Sequence, residues 1–263
     1  IALLAISANA EKRTITPQVP TLVNGCYQIS NAEELYGFSQ MMYDWAGEYG
    51  DSFYGCAELT QDITVNANVF KNGTLNNADT ANFATWIPIR NFLGTFDGKG
   101  HTIYGLYYNS EGEHTREYYR LDEAASRLRV GFFRDIKGDS YKDTVIIKNL
   151  HIKDAYFKAY HEIGGITGMV DYATLIISGC SVDGVIEGWE ALGGFVGHQE
   201  KDLEDDSRDY DGFITRQIGE LVIISNSYNR MSINGDEYVG GFVGYAEDDI
   251  VMMNVYNVGS ITA

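Results

Sequence analysis

Four acids in the second half of the chain, Asp171, Asp183, Glu187 and Glu190, are of the type that glycoside cleavage uses. That chemistry needs two carboxylates, about 5 Å apart for retention or about 6.5–9.5 Å apart for inversion. The four could project from neighbouring β turns of the chain, but solvated corner acids look the same in a sequence, so they single out no catalytic pair. The five histidines, His101, His114, His151, His161 and His198, share no spacing that suggests a metal centre or the base of a nucleophile. Gly98-x-Gly100 is too short for a nucleotide loop, and no helix pattern follows it.

Oxygen ligands concentrate in 200–212, where Asp205, Asp206, Asp209 and Asp211 could form a loose Ca²⁺ site. Ser207, Asp209, Asp211 and Gly212 imitate the opening of an EF-hand loop, yet its twelfth position holds Ile218 instead of glutamate, so that motif fails. A solvated acidic loop is the alternative. Tyrosines form the other conspicuous group: Tyr104, Tyr107 and Tyr108 in one run, Tyr118 and Tyr119 in the next. Flat rings beside polar groups suit stacking on a sugar, and half-buried packing is the competing use. Cys26 and Cys56 lie beside two strand-like runs separated by a helical pattern, so they meet in a disulfide if those strands are neighbours. Cys180 stands at an apolar position and reads as a buried thiol. No cysteine pair has zinc-site spacing.

The composition limits what such residues can serve. A formal charge of −18 opposes binding to a phosphate backbone, which excludes nucleic acid as the expected partner. Apolar residues make up 44% of 263, enough for a core, and 29 glycines against 3 prolines suit many tight corners. Residues 1–10 read as the remnant of a signal peptide closing at Ala10, with an N-terminal strand as the alternative. No run reaches the ~18 apolar residues of a membrane span. Secretion or display at the cell surface is the expected fate.

The elements that position these groups follow from periodicity. Residues 11–24 read as a leader or linker, and 25–108 as an N-terminal cap and first coil. Leu35, Phe38, Met41, Met42 and Trp45 predict a helix from Ala32 to Gly47, capped by Ser30 with Glu33 or by the rival Asn31. Residues 66–82 are Asn-rich and read as loop. Phe92 to Leu106 reads as a strand, an Asp97-Gly98 turn and a second strand. Residues 109–129 form a charged excursion.

From 130 to 263 one phrase recurs: Val130-Gly131-Phe132-Phe133, then Ile163-Gly164-Gly165-Ile166, Leu192-Gly193-Gly194-Phe195 and Val239-Gly240-Gly241-Phe242, starting 33, 29 and 47 residues apart. A second phrase follows each, beginning at Val145, Leu175, Val222 and Ile250. Units of this length cannot bury their apolar side chains alone, whereas stacked units can. The fold expected is therefore mainly β, a right-handed parallel β-helix (β-solenoid) with an N-terminal capping helix and an acidic insertion at 198–221. Asn149, Asn226 and Asn254 occupy equivalent corners, with Gly179 interrupting the series.

The G-G-F-V-G phrases, the segment F-L-G-T-F-D-G-K-G-H-T-I-Y-G-L-Y-Y and the opening G-C-Y-Q-I-S-N-A-E-E-L resemble the GLUG-repeat proteins of bacterial surfaces, over roughly Gly25 to Ala263. The resemblance implies an extracellular module and no particular reaction, since the repeat occurs in adhesin-like stalks and beside peptidase domains. Phe132-Phe133-Arg134 departs from the phrase in the first coil, and the last repeat stops at Ala263, so the sequence reads as part of a longer chain. The expected function is non-catalytic binding or adhesion to a polysaccharide or host surface. The alternatives are a β-helix carbohydrate-active enzyme and a rigid spacer.

Overall fold

The computed structural model describes residues 13–49, 52–110, 129–140, 142–200 and 221–263. They are mainly β, with parallel strands in four sheets and one long helix. The first sheet runs Thr21–Val23, Cys26–Ile29, Phe53–Leu59, Phe92–Asp97, Thr144–Lys148, Thr174–Ser178, Leu221–Ser225 and Asp249–Met253. Only its first pair is antiparallel. The second sheet is built on Thr102–Tyr104, His151–Lys158, Ser181–Glu187 and Tyr228–Asn234, the third on Phe133–Lys137, Thr167–Asp171, Val196–Gln199 and Val243–Ala246, and the fourth on His161–Gly164, Glu190–Gly193 and Glu237–Gly240.

Equivalent residues of the repeats pair in register. Val145 faces Leu175, which faces Val222, which faces Ile250. Val130, Ile163, Leu192 and Val239 form a second file in the same way. Neighbouring strands lie about 4.8 Å apart, so such a file brings aliphatic side chains into continuous contact. One apolar cluster accordingly runs from Ile15 to Phe242. The asparagine corners have a backbone reason as well as a ladder: Asn149, Gly179, Asn226 and Asn254 all take left-handed φ values, of 50°, 64°, 49° and 54°. Asparagine and glycine are the residues that tolerate this conformation most readily, so Gly179 preserves the corner that the side-chain series interrupts. Asn254 Nδ2 donates to Asn226 Oδ1 at 2.7 Å, and Asn149 Nδ2 to Asp97 Oδ1 at 3.1 Å.

The helix spans Ala32–Tyr49. Its cap is Asn31, whose Oδ1 accepts from the Glu34 amide at 2.8 Å, while the Glu34 carboxylate accepts from the Ser30 amide at 2.7 Å. The Ser30–Glu33 box is not the one used. Leu35, Phe38 and Met42 are buried, and Phe38 meets Phe92 edge-on at 5.8 Å, so the helix covers the end of the core next to the Cys26–Ile29 and Phe53–Leu59 strands. Asn31→Ala removes the acceptor for an otherwise orphaned amide and is expected to lower stability by about 1 kcal/mol, read as a shift in the chemical-denaturation midpoint. An unchanged midpoint would contradict the cap.

Three readings change. Phe92–Asp97 and Thr102–Tyr104 are not a hairpin: the first pairs with Phe53–Leu59 and Thr144–Lys148, the second with Ile63–Thr64 and His151–Lys158. Both edges of each strand are occupied by equivalents above and below, so the Asp-Gly turn becomes a corner between sheets. Order also begins before Cys26, because Ile15 is buried, the Gln18 amide donates to Glu33 O at 2.9 Å and Thr21–Val23 is a strand. Within the Asn-rich loop, Phe70–Lys71 and Thr74–Leu75 form a small hairpin that lies over part of the second sheet.

Candidate functional site

The strands His151–Lys158, Ser181–Glu187 and Tyr228–Asn234 end in register at Lys158, Glu187 and Asn234. The chain then turns into the fourth sheet through Tyr160, Trp189 and Asp236, stacked by backbone bonds from Trp189 N to Tyr160 O (2.6 Å) and from Asp236 N to Trp189 O (2.9 Å). This repetition lays the Tyr160 and Trp189 rings face to face, with centroids 6.0 Å apart and planes 8° apart. Trp189 remains 42% exposed. Gly188 next to it is closely packed: a Cβ there would lie 2.7 Å from Ile163 Cδ1 and 2.8 Å from Leu192 Cδ2, side-chain ends that would have to shift. Beside the rings, Glu187 accepts from the Tyr156 hydroxyl at 2.8 Å and lies 3.8 Å from Lys158 Nζ. The resulting recess is about 320 Å³, lined by Tyr160, Trp189, Gly188, Lys158, Glu187 and Asn234. A flat apolar ring edged by fixed polar groups is the arrangement that stacks on the C–H face of a sugar and bonds its hydroxyls.

At the opposite end of the same strands lies a groove of about 250 Å³. Register puts Thr102, His151, Ser181 and Tyr228 in one file, and Tyr228 stacks on Tyr256 at 5.3 Å. Lys153, Asp183 and Arg230 line the groove two residues further along. His151 Nδ1 and Ser181 Oγ are 2.8 Å apart, and burial pushes the imidazole below its ordinary pKa. A serine–histidine pair alone does not make an acyl-transfer site: the Ser181 amide is spent on Leu150 O at 3.0 Å instead of facing an oxyanion. Burial, then the nearby Asp154 charge, raises Asp183 above the usual carboxylate range.

The four candidate acids are dispersed. Asp171 is on the third sheet with Lys137 Nζ 2.8 Å away, and Glu190 is on the fourth. Asp183 and Glu187 share a strand, where four residues span about 13 Å, beyond the separation of either glycosidase mechanism.

A further cluster, which sequence reasoning missed, joins residues of successive repeats. The Glu162 carboxylate contacts Arg129 Nε, lies 3.3 Å from His198 Nδ1 and 4.0 Å from His161 Nδ1. Burial would raise its pKa, but the hydrogen bond from His198 and the Arg129 charge outweigh that and hold it below the usual range. His198 in turn reaches to 4.0 Å from Glu247 and packs on the Tyr245 ring at 5.0 Å. This is a cross-brace between rungs.

Of the tyrosines singled out by sequence, Tyr107 is only 6% exposed, stacked on Tyr156 at 5.6 Å and edge-on to Phe83 beneath the small hairpin. Tyr108 packs against the main core, and Tyr104 is half-buried beside Lys153. Tyr118, Tyr119, Asp205, Asp206, Asp209 and Asp211 lie outside the described residues. Among the described residues no three His, Cys, Asp or Glu side chains are grouped to hold a metal. Cys26 and Cys56 are register partners joined in a disulfide, with Cα atoms 4.5 Å apart. Cys180 is buried, which pushes its thiol up to about 12. No helix among the described residues is long and apolar enough to cross a membrane.

Residues 235–262 match the GLUG motif. No curated protein matches the chain. A crystal structure described as that of a "putative immunoglobulin A1 protease" from Bacteroides ovatus is similar over 88% of this chain and 74% of its own, at 13% identity and a TM-score of 0.33, too distant a likeness to bear on function.

Proposed function

We propose that this chain, a carrier of the GLUG motif, is an extracytoplasmic binding or adhesion module. Its parallel sheets are read as a right-handed β-solenoid closed at one end by the helix, and the outer face of the second sheet meets a polysaccharide. The in-register pairing of four successive repeats supports the solenoid, and the disulfide supports an oxidising compartment. The observation that carries the binding reading is the Tyr160–Trp189 stack, a flat aromatic shelf with Glu187 and Asn234 at its rim. The two rings are already ordered against each other, so little entropy is lost when a sugar is added.

Titration with neutral and acidic oligosaccharides is expected to change tryptophan fluorescence, and Trp189→Ala to weaken binding about tenfold or more, roughly 1–2 kcal/mol, with the melting temperature unchanged. Wild-type protein that retains no polysaccharide in pull-down would refute the reading. Release of new reducing ends from a bound polysaccharide would turn it into an enzyme.

A further inference from the structure

Basic side chains are outnumbered in this chain, 19 against 37 acidic, and several of those among the described residues sit against a carboxylate. Lys99, Arg129, Arg134, Lys137, Lys148 and Lys158 each lie within 4.0 Å of a carboxylate. Lys153 and Arg230 do not, although both line the groove on either side of Asp183. Arg230 instead sits over the Tyr228 ring, 5.2 Å from its centroid, and that ring is itself fixed by stacking on Tyr256. The groove lining thus carries two cationic heads free of ion pairs beside one carboxylate, with Asp154 acting on Asp183 and Asp62 on His151 from its edge, on a chain of net charge −18. A guanidinium held by a ring keeps its donor edge directed, and such an edge binds carboxylate or sulfate through two parallel hydrogen bonds.

We infer that the groove between Lys153 and Arg230 is a subsite for an acidic sugar residue, its anionic group held by these two side chains and its ring hydroxyls by Asp183, Ser181 and His151. The inference rests on the polysaccharide reading above and extends it: seven residues separate His151 from Lys158, so groove and shelf lie about 20 Å apart along the same strands. Tyr156 and Val185, packed under the small hairpin, lie between the two, so groove and shelf act as two separate contacts on one face. The two cationic heads, directed into the groove and unpaired, favour a uronate over a neutral sugar in a protein whose overall field repels anions.

The test compares oligogalacturonate with its fully methyl-esterified form, which differ in charge and not in ring, and adds a sulfated galactan oligosaccharide. The acid form is expected to bind at least tenfold more tightly than the ester, and Arg230→Gln or Lys153→Gln to erase that preference while leaving ester binding intact. Tighter binding of the sulfated probe than of the uronate, lost in the same variants, assigns the site to sulfate instead of carboxylate and overturns the uronate assignment. Equal binding of acid and ester, or an acid preference that survives both substitutions, overturns the subsite while the Trp189 shelf stands. Arg230-dependent binding of the acid with no effect of Trp189→Ala supports the subsite and removes the shelf. Failure of every probe to bind overturns both. Both side chains are exposed, so the variants should melt with the wild type, and unchanged thermal midpoints exclude loss of fold as the cause.

Discussion

Replacing Trp86 with alanine is expected to destabilise the protein by about 3–5 kcal/mol, among the largest effects of any single truncation here. Trp86 is 1% exposed and lies flat on Phe132, centroids 5.6 Å apart and planes 1° apart, with Tyr36 of the helix edge-on at 5.4 Å. Its indole N–H donates to Gly131 O at 3.0 Å and its backbone N–H to Tyr107 O at 2.6 Å. Truncation therefore opens a cavity between helix and first repeat and also strands a buried carbonyl. Trp86→Phe separates the two: it keeps most of the apolar volume and loses the hydrogen bond, with an expected loss of about 1–3 kcal/mol. Denaturant unfolding of both variants measures this. A loss below about 1 kcal/mol for the alanine variant would mean that the helix does not close the core as described.

The second large effect is at Glu162. Its side chain is 13% exposed and that of Arg129 21%, so Glu162→Ala leaves a largely buried guanidinium with the more distant Glu200, at 4.0 Å, in place of its contact partner and removes the acceptor for His198. The expected loss is about 2–4 kcal/mol, below the full figure for a completely buried pair because both groups retain some solvent. The sign of the pH dependence follows from the depressed pKa of Glu162. Its contribution is complete above the ordinary carboxylate value of 4.5 and is lost as pH falls through the lower folded value. The stability gap between wild type and Glu162→Gln should thus be widest near neutrality and narrow below about pH 4.5. A gap that stays constant down to pH 3 would show that Glu162 contributes by shape and not by charge.

The difference between what sequence did and did not reveal has a physical origin. The files through Val145 and Val130 were legible because stacking forces the same apolar type to recur at every rung, and recurrence survives loops of unequal length. The Phe92–Leu106 segment misled because a strand, an Asp-Gly turn and a strand are locally identical in a hairpin and at a corner between sheets. What distinguishes them is which edges are already occupied, and that lies some 40–50 residues away, at Phe53–Leu59 and Thr144–Lys148. The asparagine corners are legible as a recurring residue type, and their left-handed backbone explains why glycine replaces one of them.

The site was less visible than the fold. Trp189 stands alone between a strand and a Gly-Gly phrase, and nothing in its neighbourhood announces that Tyr160, 29 residues earlier, lies beneath it. The equal 29-residue offset between Ile163 and Leu192 is the signal that would have found it, because an offset that pairs two aliphatic residues also pairs the rings ahead of them. Tyr107 fails in the opposite sense: a run of tyrosines suits an exposed face, and a hairpin from residues 70–75, remote in sequence, covers this one. Arg129 and Glu162 stand one place ahead of Val130 and Ile163, so the 33-residue offset of that pair contains theirs, whereas His198 joins from another sheet at no repeat spacing.

The uneven repeat lengths have an evolutionary consequence. Leu175 faces Val222 in the same register with which Val145 faces Leu175, although the later unit carries the acidic insertion and the earlier one does not. Lengthening the connection from the 2 residues between Asp171 and Thr174 to the 21 between Gln199 and Leu221 costs on the order of 2 kcal/mol of closure entropy, since that cost grows only with the logarithm of length. A molecule assembled this way can exchange its lateral decoration without renegotiating its interior. Selection for a new ligand at those corners and selection for a stable scaffold can then proceed almost independently.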